Sequence, residues 1–196
     1  MKKIKTAILI SGRGSNMQSL IEACKNGDSR AEIALVISNK KDAKGLEFAA
    51  SQGIPTKFID HKNFASRAEF DAKVSEEIEK SGCEIICLAG FMRLLSQEFT
   101  QKWHNRAINI HPSLLPDFKG ADAVGDALKA GAKISGCTVH FVSFEMDSGP
   151  IIEQAKVEIL SSDTKETLAA RILIEEHKIY PKALEKVCEM VLRGEI

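Results

Sequence analysis

The stretch "AILISGRGSNMQSL", Ala7 to Leu20, decides the fold: an apolar run breaks at Gly12 and Gly14 and resumes with helical spacing at Met17 and Leu20. A buried strand that turns through glycines straight into a helix opens a βαβ unit, and the turn offers free amides at the positive end of the helix dipole, a place suited to an anion. Two familiar phosphate sites fail here. A dinucleotide fingerprint needs a third glycine where Met17 stands and an acidic residue closing the second strand, which instead ends "VISNKK". A nucleoside-triphosphate loop needs a Gly-Lys-Ser/Thr ending, and this turn holds no lysine. What remains is a tight loop for a single phosphate, built on Gly14 with Ser15 and Asn16 as further donors or helix caps; an ordinary strand-to-helix turn is the plain alternative.

The rest of the chain repeats the same alternation. "TAILIS", "AEIALVIS", "TKFI", "EIICLA" and "AINIH" are apolar runs bounded by turn residues and read as strands of a largely buried parallel sheet. Met17, Leu20, Ile21 and Cys24 recur at helical spacing after the first strand, and Phe70, Val74 and Ile78 after the third. The expected fold class is therefore α/β: an open, mostly parallel twisted sheet with helices on both faces, Rossmann-like, its ligands beyond the carboxyl ends of the strands. After His111 the pattern changes. "GADAVGDALKAGA" predicts a short helix, and "ISGCTVHFVS" and "GPIIEQAKVEI" predict an antiparallel strand pair joined by the hairpin "FEMDSGP". A long C-terminal helix follows from Asp163, with an Asp163…Glu166 capping pattern at its start and Pro181 kinking it or starting a second helix. The 196 residues are expected to form a single domain.

Composition narrows the function classes. Lys+Arg and Asp+Glu both number 27, so no overall field draws in DNA or RNA, and any phosphate must be bound locally. No apolar run approaches a membrane span, and "MKKIKTAILIS" is too short for a secretory core, which leads to the expectation of a cytoplasmic protein without membrane contact. Five cysteines, Cys24, Cys83, Cys87, Cys137 and Cys188, lie scattered among apolar neighbours without a Cys-x-x-Cys pair. Reduced, mostly buried thiols and no metal are expected.

Four places carry polar residues that packing alone would not ask for. In "AINIHPSLLPDF", Asn109 and His111 alternate with apolar residues and leave the strand end on the same face, just before Pro112 stops the ladder. Asp147 sits in the hairpin "FEMDSGP", where an aspartate usually bonds its own backbone; folded over the strand end, it would instead stabilise a charged His111. Glu176 falls within the apolar stripe of Leu168, Ile172, Ile179 and Leu184, so it needs a partner: a cationic or amino ligand, or a nearby Lys or Arg. Arg67 follows Ser66 of a Ser66…Glu69 capping box, in a first helical turn where the dipole disfavours a cation unless an anion is near, or the side chain simply reaches solvent.

In this order, "SGRGSN", "FMRLLS", "NIHPSLLP" and "MDSGP" resemble the phosphoribosylglycinamide formyltransferase family, folate-dependent enzymes of purine biosynthesis. The resemblance runs from Ile4 to about Ala183. It implies Asn109, His111 and Asp147 around the formyl carbon. It implies Gly14, Ser15, Asn16 and Arg67 on the ribonucleotide phosphate, with Glu176 receiving the glycinamide amine. Met92, Arg93, Leu94 and Leu95, with Ser143, Phe144, Glu145 and Met146, would line the pterin pocket largely through backbone groups.

The implied co-substrate is 10-formyltetrahydrofolate and the implied acceptor is glycinamide ribonucleotide, with no metal and with the chain a monomer or homodimer. Residues 1–111 would form the phosphate-binding half and 112–196 the folate and catalytic half. A cis bond is expected at Leu115–Pro116. Two departures stand out: Asp117 and the absence of a histidine in "DFKGADAVGDAL", and Leu173 where relatives present a polar side chain. Rival readings are a methionyl-tRNA formyltransferase, for which an extra C-terminal barrel and a basic surface would be expected; a formyltetrahydrofolate deformylase, for which an N-terminal regulatory domain would be expected; and a non-catalytic folate- or nucleotide-binding module.

Overall fold

Isoleucine and leucine on both faces of β1 (Ile4–Ile10) leave the strand no side that tolerates water, and it lies inside a seven-stranded sheet. The computed structural model describes residues 2–196. The sheet order is β3-β2-β1-β4-β5-β6-β7. Its other strands are β2 (Ala31–Ser38), β3 (Thr56–Phe58), β4 (Ile85–Leu88), β5 (Ala107–His111), β6 (Ile134–Phe141) and β7 (Ile151–Glu158). The first five pair in parallel, whereas β5 with β6 and β6 with β7 are antiparallel, as the hairpin pattern predicts. β3 departs from the expected buried strand: it is a three-residue edge with two exposed residues.

The two faces carry separate apolar cores. Ile8 and Ile10 of β1 pack with Met17, Leu20 and Ile21 of α1 (Ser15–Cys24) and with Leu168, Ile172 and Leu184 of α6 (Lys165–Leu192). Val124 of α5 (Ala123–Lys129) and Ala49 of α2 (Lys44–Ser51) join the same core. Ala7 and Leu9 point the other way, into Phe70, Val74 and Ile78 of α3 (Arg67–Lys80) and Phe99 of α4 (Gln97–Lys102). Alternation along one strand thus distributes its side chains between two helical layers. All five cysteines are free thiols, and four of them are buried.

Two details of α6 differ from expectation. Its capping box is Thr164 with Thr167, one residue beyond the Asp163…Glu166 pattern, because Asp163 instead accepts from the Leu160 amide and pairs with Arg171. Pro181 lies inside an unbroken helix, leaving the His177 carbonyl without its usual i→i−4 donor. The Leu115–Pro116 bond is cis, as the family resemblance implies.

β1 connects leftward to β2 and β3, and the chain then returns to place β4 on the other side of β1. That reversal opens a crevice at the carboxyl ends of β1 and β4. The glycine turn after β1 and the segment after β4 meet there: the Ser11 amide donates to the Gly90 carbonyl at 3.0 Å, and the Met92 amide donates to Ser11 Oγ at 2.9 Å.

Candidate active site

β5 ends in Asn109-x-His111, and both side chains project into one cavity of about 490 Å3 beyond the strand end. The register of β5 on β6 sets His140 directly opposite Asn109. Asn109 Nδ2 lies 3.2 Å from His140 Nε2, while His140 Nδ1 is 2.9 Å from the Phe141 carbonyl. A carbonyl only accepts, so Nδ1 carries the ring proton and Nε2 accepts from the Asn109 amide. Burial also pushes the His140 pKa down, which keeps the ring neutral and suited to that acceptor role. One Asn109 amide hydrogen is thereby committed, and the other is left to point at whatever enters the cavity.

The β6–β7 hairpin brings Asp147 over the same wall. Asp147 has φ 52°, a left-handed turn conformation, and its Oδ2 accepts from the Gly120 amide at 2.9 Å. The same oxygen lies 3.5 Å from His111 Nδ1, with both side chains almost fully buried. His111 Nε2 is 2.9 Å from the Phe118 carbonyl, so that nitrogen holds a proton and spends it on the loop after the cis proline. His140 Nε2 and Asp147 Oδ1 are 3.8 Å apart, beyond hydrogen-bond reach. The Asn109–His111 pair and Asp147, predicted from distant stretches, thus stand on one wall; His140 is a fourth member that the sequence reading missed. The signal was present: a histidine within the apolar alternation of "ISGCTVHFVS" breaks the local rule as Asn109 and His111 do.

The chain matches the formyl transferase family over residues 4–184. It is similar to a phosphoribosylglycinamide formyltransferase from Haemophilus influenzae, 44% identical over 98% of this chain and 90% of that relative. The chain belongs to the phosphoribosylglycinamide formyltransferase family. A further relative, the trifunctional purine biosynthetic protein adenosine-3 of Gallus gallus, is 51% identical over 94% of the chain, but the chain spans only 18% of that relative's length. Among solved structures, glycinamide ribonucleotide transformylase 1 from Symbiobacterium toebii superposes with a TM-score of 0.93 at 45% identity, covering 95% of this chain and 88% of that one.

The remaining predicted residues fall in three places. Met92, Arg93, Leu94 and Leu95 and, across the cavity, Ser143, Phe144 and Met146 line its walls; Glu145 does not. Gly14, Ser15 and Asn16 form the start of α1, where Gly14 takes φ 72° and no side chain caps the helix, so the cap role foreseen for Ser15 and Asn16 is not realised. The first-turn amides keep their free hydrogens for an anion. Asn16 Nδ2 instead donates to Glu176 Oε2 at 2.6 Å, across a separation of 160 residues.

Glu176 is 6% exposed, and burial raises its pKa while the Asn16 amide opposes that rise. The alternative of a nearby Lys or Arg is not realised: none pairs with Glu176 among the described residues, and Asn16 Oδ1 is buried without a partner. Arg67 sits in the first turn of α3 behind Ser66, whose Oγ accepts from the Glu69 amide; it is exposed and is not part of the cavity wall. Among the described residues, no group of three or more His, Cys, Asp or Glu is placed to hold a metal, and no helix is long and apolar enough to cross a membrane.

Proposed function

We propose that this chain transfers the formyl group of 10-formyltetrahydrofolate to the amine of glycinamide ribonucleotide. The observation that carries the reading is the convergence of Asn109, His111, His140 and Asp147 on one cavity wall, in a cavity whose Met92 wall is bonded to Ser11 just before the glycine turn. The cavity suits a folate: its volume is in the range of small-ligand pockets, and Met92, Leu94 and Phe144 offer exposed apolar faces. The glycine turn and the amides of α1 suit the phosphate of the acceptor, with Arg67 assigned to the same anion from the resemblance. Glu176 suits its amine end, since a buried carboxylate held by a single amide still lacks a cationic partner.

The chemistry follows from these types. The neutral amine adds to the formyl carbon, a C–N bond forms, and the formyl oxygen takes on negative charge. Asn109 is aimed for that charge because His140 fixes its amide, and a preorganised donor of this kind is worth about 3 kcal/mol. His111 supplies the second donor, but its Nε2–H is engaged by Phe118, so the ring must turn or the loop must yield before it can serve. Asp147 stabilises positive charge on His111 and orders the water that carries the proton from the attacking amine to the departing folate nitrogen as the old C–N bond breaks. No covalent intermediate on the protein is needed.

The test is to incubate the protein with both substrates and follow free tetrahydrofolate. Its release must depend on the ribonucleotide; release without it would replace this reading with a deformylase, and no release would leave a binding module.

A further inference from the structure

Asp71 lies on the second turn of α3, between the core residues Phe70 and Val74, and is 1% exposed. A carboxylate placed there is costly unless it is bonded or paired, so its presence asks for a use. Its Oδ2 accepts from the Ser96 amide at 2.6 Å, and Ser96 is the N-cap of α4. Oδ1 has no partner. Three residues before Ser96, Arg93 Nε is also buried without a partner. The Arg93 guanidinium lies 5.3 Å from the centre of the Phe70 ring, and Phe70 stacks on Phe91 at 6.4 Å. An unpaired acceptor thus stands beside the segment and an unpaired donor within it; burial raises the Asp71 pKa, the hydrogen bonds from Ser96 oppose that rise most, and the Arg93 charge opposes it further.

The segment that carries Arg93 and runs into Ser96 lines the cavity from Phe91 to Leu95. Met92 and Leu94 are 74% and 53% exposed, so they have little packing of their own to hold them. Its near end is gripped by Ser11 Oγ at the Met92 amide. Its far end is gripped by Asp71. We infer that Asp71 is a positioning residue for folate: through the Ser96 amide and the charge facing Arg93, it holds the Phe91–Ser96 segment in the shape that receives the pterin. This rests on the formyl-folate reading of the cavity. Asp71 touches no reacting atom, so its loss should weaken folate binding and leave turnover at saturation and the ribonucleotide site alone.

The experiment compares the wild-type chain with Asp71→Ala and Asp71→Asn. In Asp71→Ala, which removes both the acceptor and the charge, KM for 10-formyltetrahydrofolate should rise about tenfold, while kcat and KM for glycinamide ribonucleotide stay within about twofold. Asp71→Asn keeps an acceptor for Ser96 but loses the charge, and should give a rise of about threefold, again for the folate alone. It carries the test if Asp71→Ala does not fold. Equilibrium dialysis with tetrahydrofolate reads the same loss without turnover, so a wild type that binds folate but transfers no formyl group overturns the function and not this inference. Cooperatively folded variants with unchanged folate affinity, or with equal rises in both KM values, overturn it.

Discussion

At the scale of single residues, the site depends on which nitrogen holds which proton. His140 is fixed with Nδ1–H toward Phe141, so it can only accept at Nε2, and Asn109 must present its amide nitrogen to it. His111 has no such fixed acceptor role: one nitrogen faces Asp147 and the other faces Phe118. Replacing His111 by Asn removes the chargeable ring and retains a polar side chain. We expect kcat to fall by about 10²–10³, with folate binding within a fewfold of wild type, as loss of a transition-state donor requires. Single-turnover kinetics with a parallel dialysis measurement check it; loss of folate binding equal to the loss of rate would make His111 a binding residue. Asn109 and His111 were readable because a strand shows its face in two residues. His140 also breaks its local pattern, but its relation to Asn109, which gives it a role, exists only through the β5–β6 register.

Among elements, helix starts are where the glycine turn and the outer layer are set. Gly14 holds φ 72° at the N-cap of α1, and a Cβ there would stand 3.1 Å from Met17 Cε, so Gly14→Ala meets both backbone strain and a crowded core side chain. About 1–2 kcal/mol of stability should be lost. KM for glycinamide ribonucleotide should rise more than KM for the folate; chemical denaturation and steady-state kinetics read the two effects separately.

On the opposite face, Glu77 of α3 pairs with Lys73 one turn back at 2.8 Å and with Lys57 of edge strand β3 at 3.0 Å. Hydrogen bonds from Lys73 and then Lys57 lower its pKa from 4.5 to about 2. Because the folded value is depressed, the stabilisation is fully present above the unfolded value and is lost as pH falls from 4.5 toward about 2. Glu77→Gln should therefore melt below wild type at pH 7, and the two curves should converge near pH 2; a gap that persists at low pH would assign the effect to packing. Strand and helix positions were readable here from apolar spacing. The shift of the α6 cap from Asp163 to Thr164 was not, because it turns on Asp163 being taken by Arg171, a partner chosen in three dimensions.

In the whole molecule, the decisive contacts join segments that no local pattern connects. The parallel order could be read as far as β5, but not that β4 returns beside β1, and that neighbour relation makes the crevice. Glu176 announced a missing partner, yet Asn16 became that partner only because α6 lies across α1. Tyr180 shows how α6 is kept there. It is fully buried, and its hydroxyl lies 2.9 Å from the Leu88 carbonyl, at the last residue of β4, and 3.2 Å from the Ile108 carbonyl, at the second residue of β5. Tyr180 stands four residues after Glu176, on the same helical face. Tyr180→Phe keeps the ring in the core and removes the hydroxyl hydrogen bond to those carbonyls. The cost should be about 1–2 kcal/mol, a fall in melting temperature of roughly 2–8 °C for a chain of this size. Because the ring still anchors α6, the Asn16–Glu176 contact should survive, and KM for glycinamide ribonucleotide should change by less than about threefold. Calorimetry and steady-state kinetics on the same preparation decide it: a large rise in that KM without a loss of stability would mean that the hydroxyl sets the substrate site directly and does not simply fasten the helix that carries it.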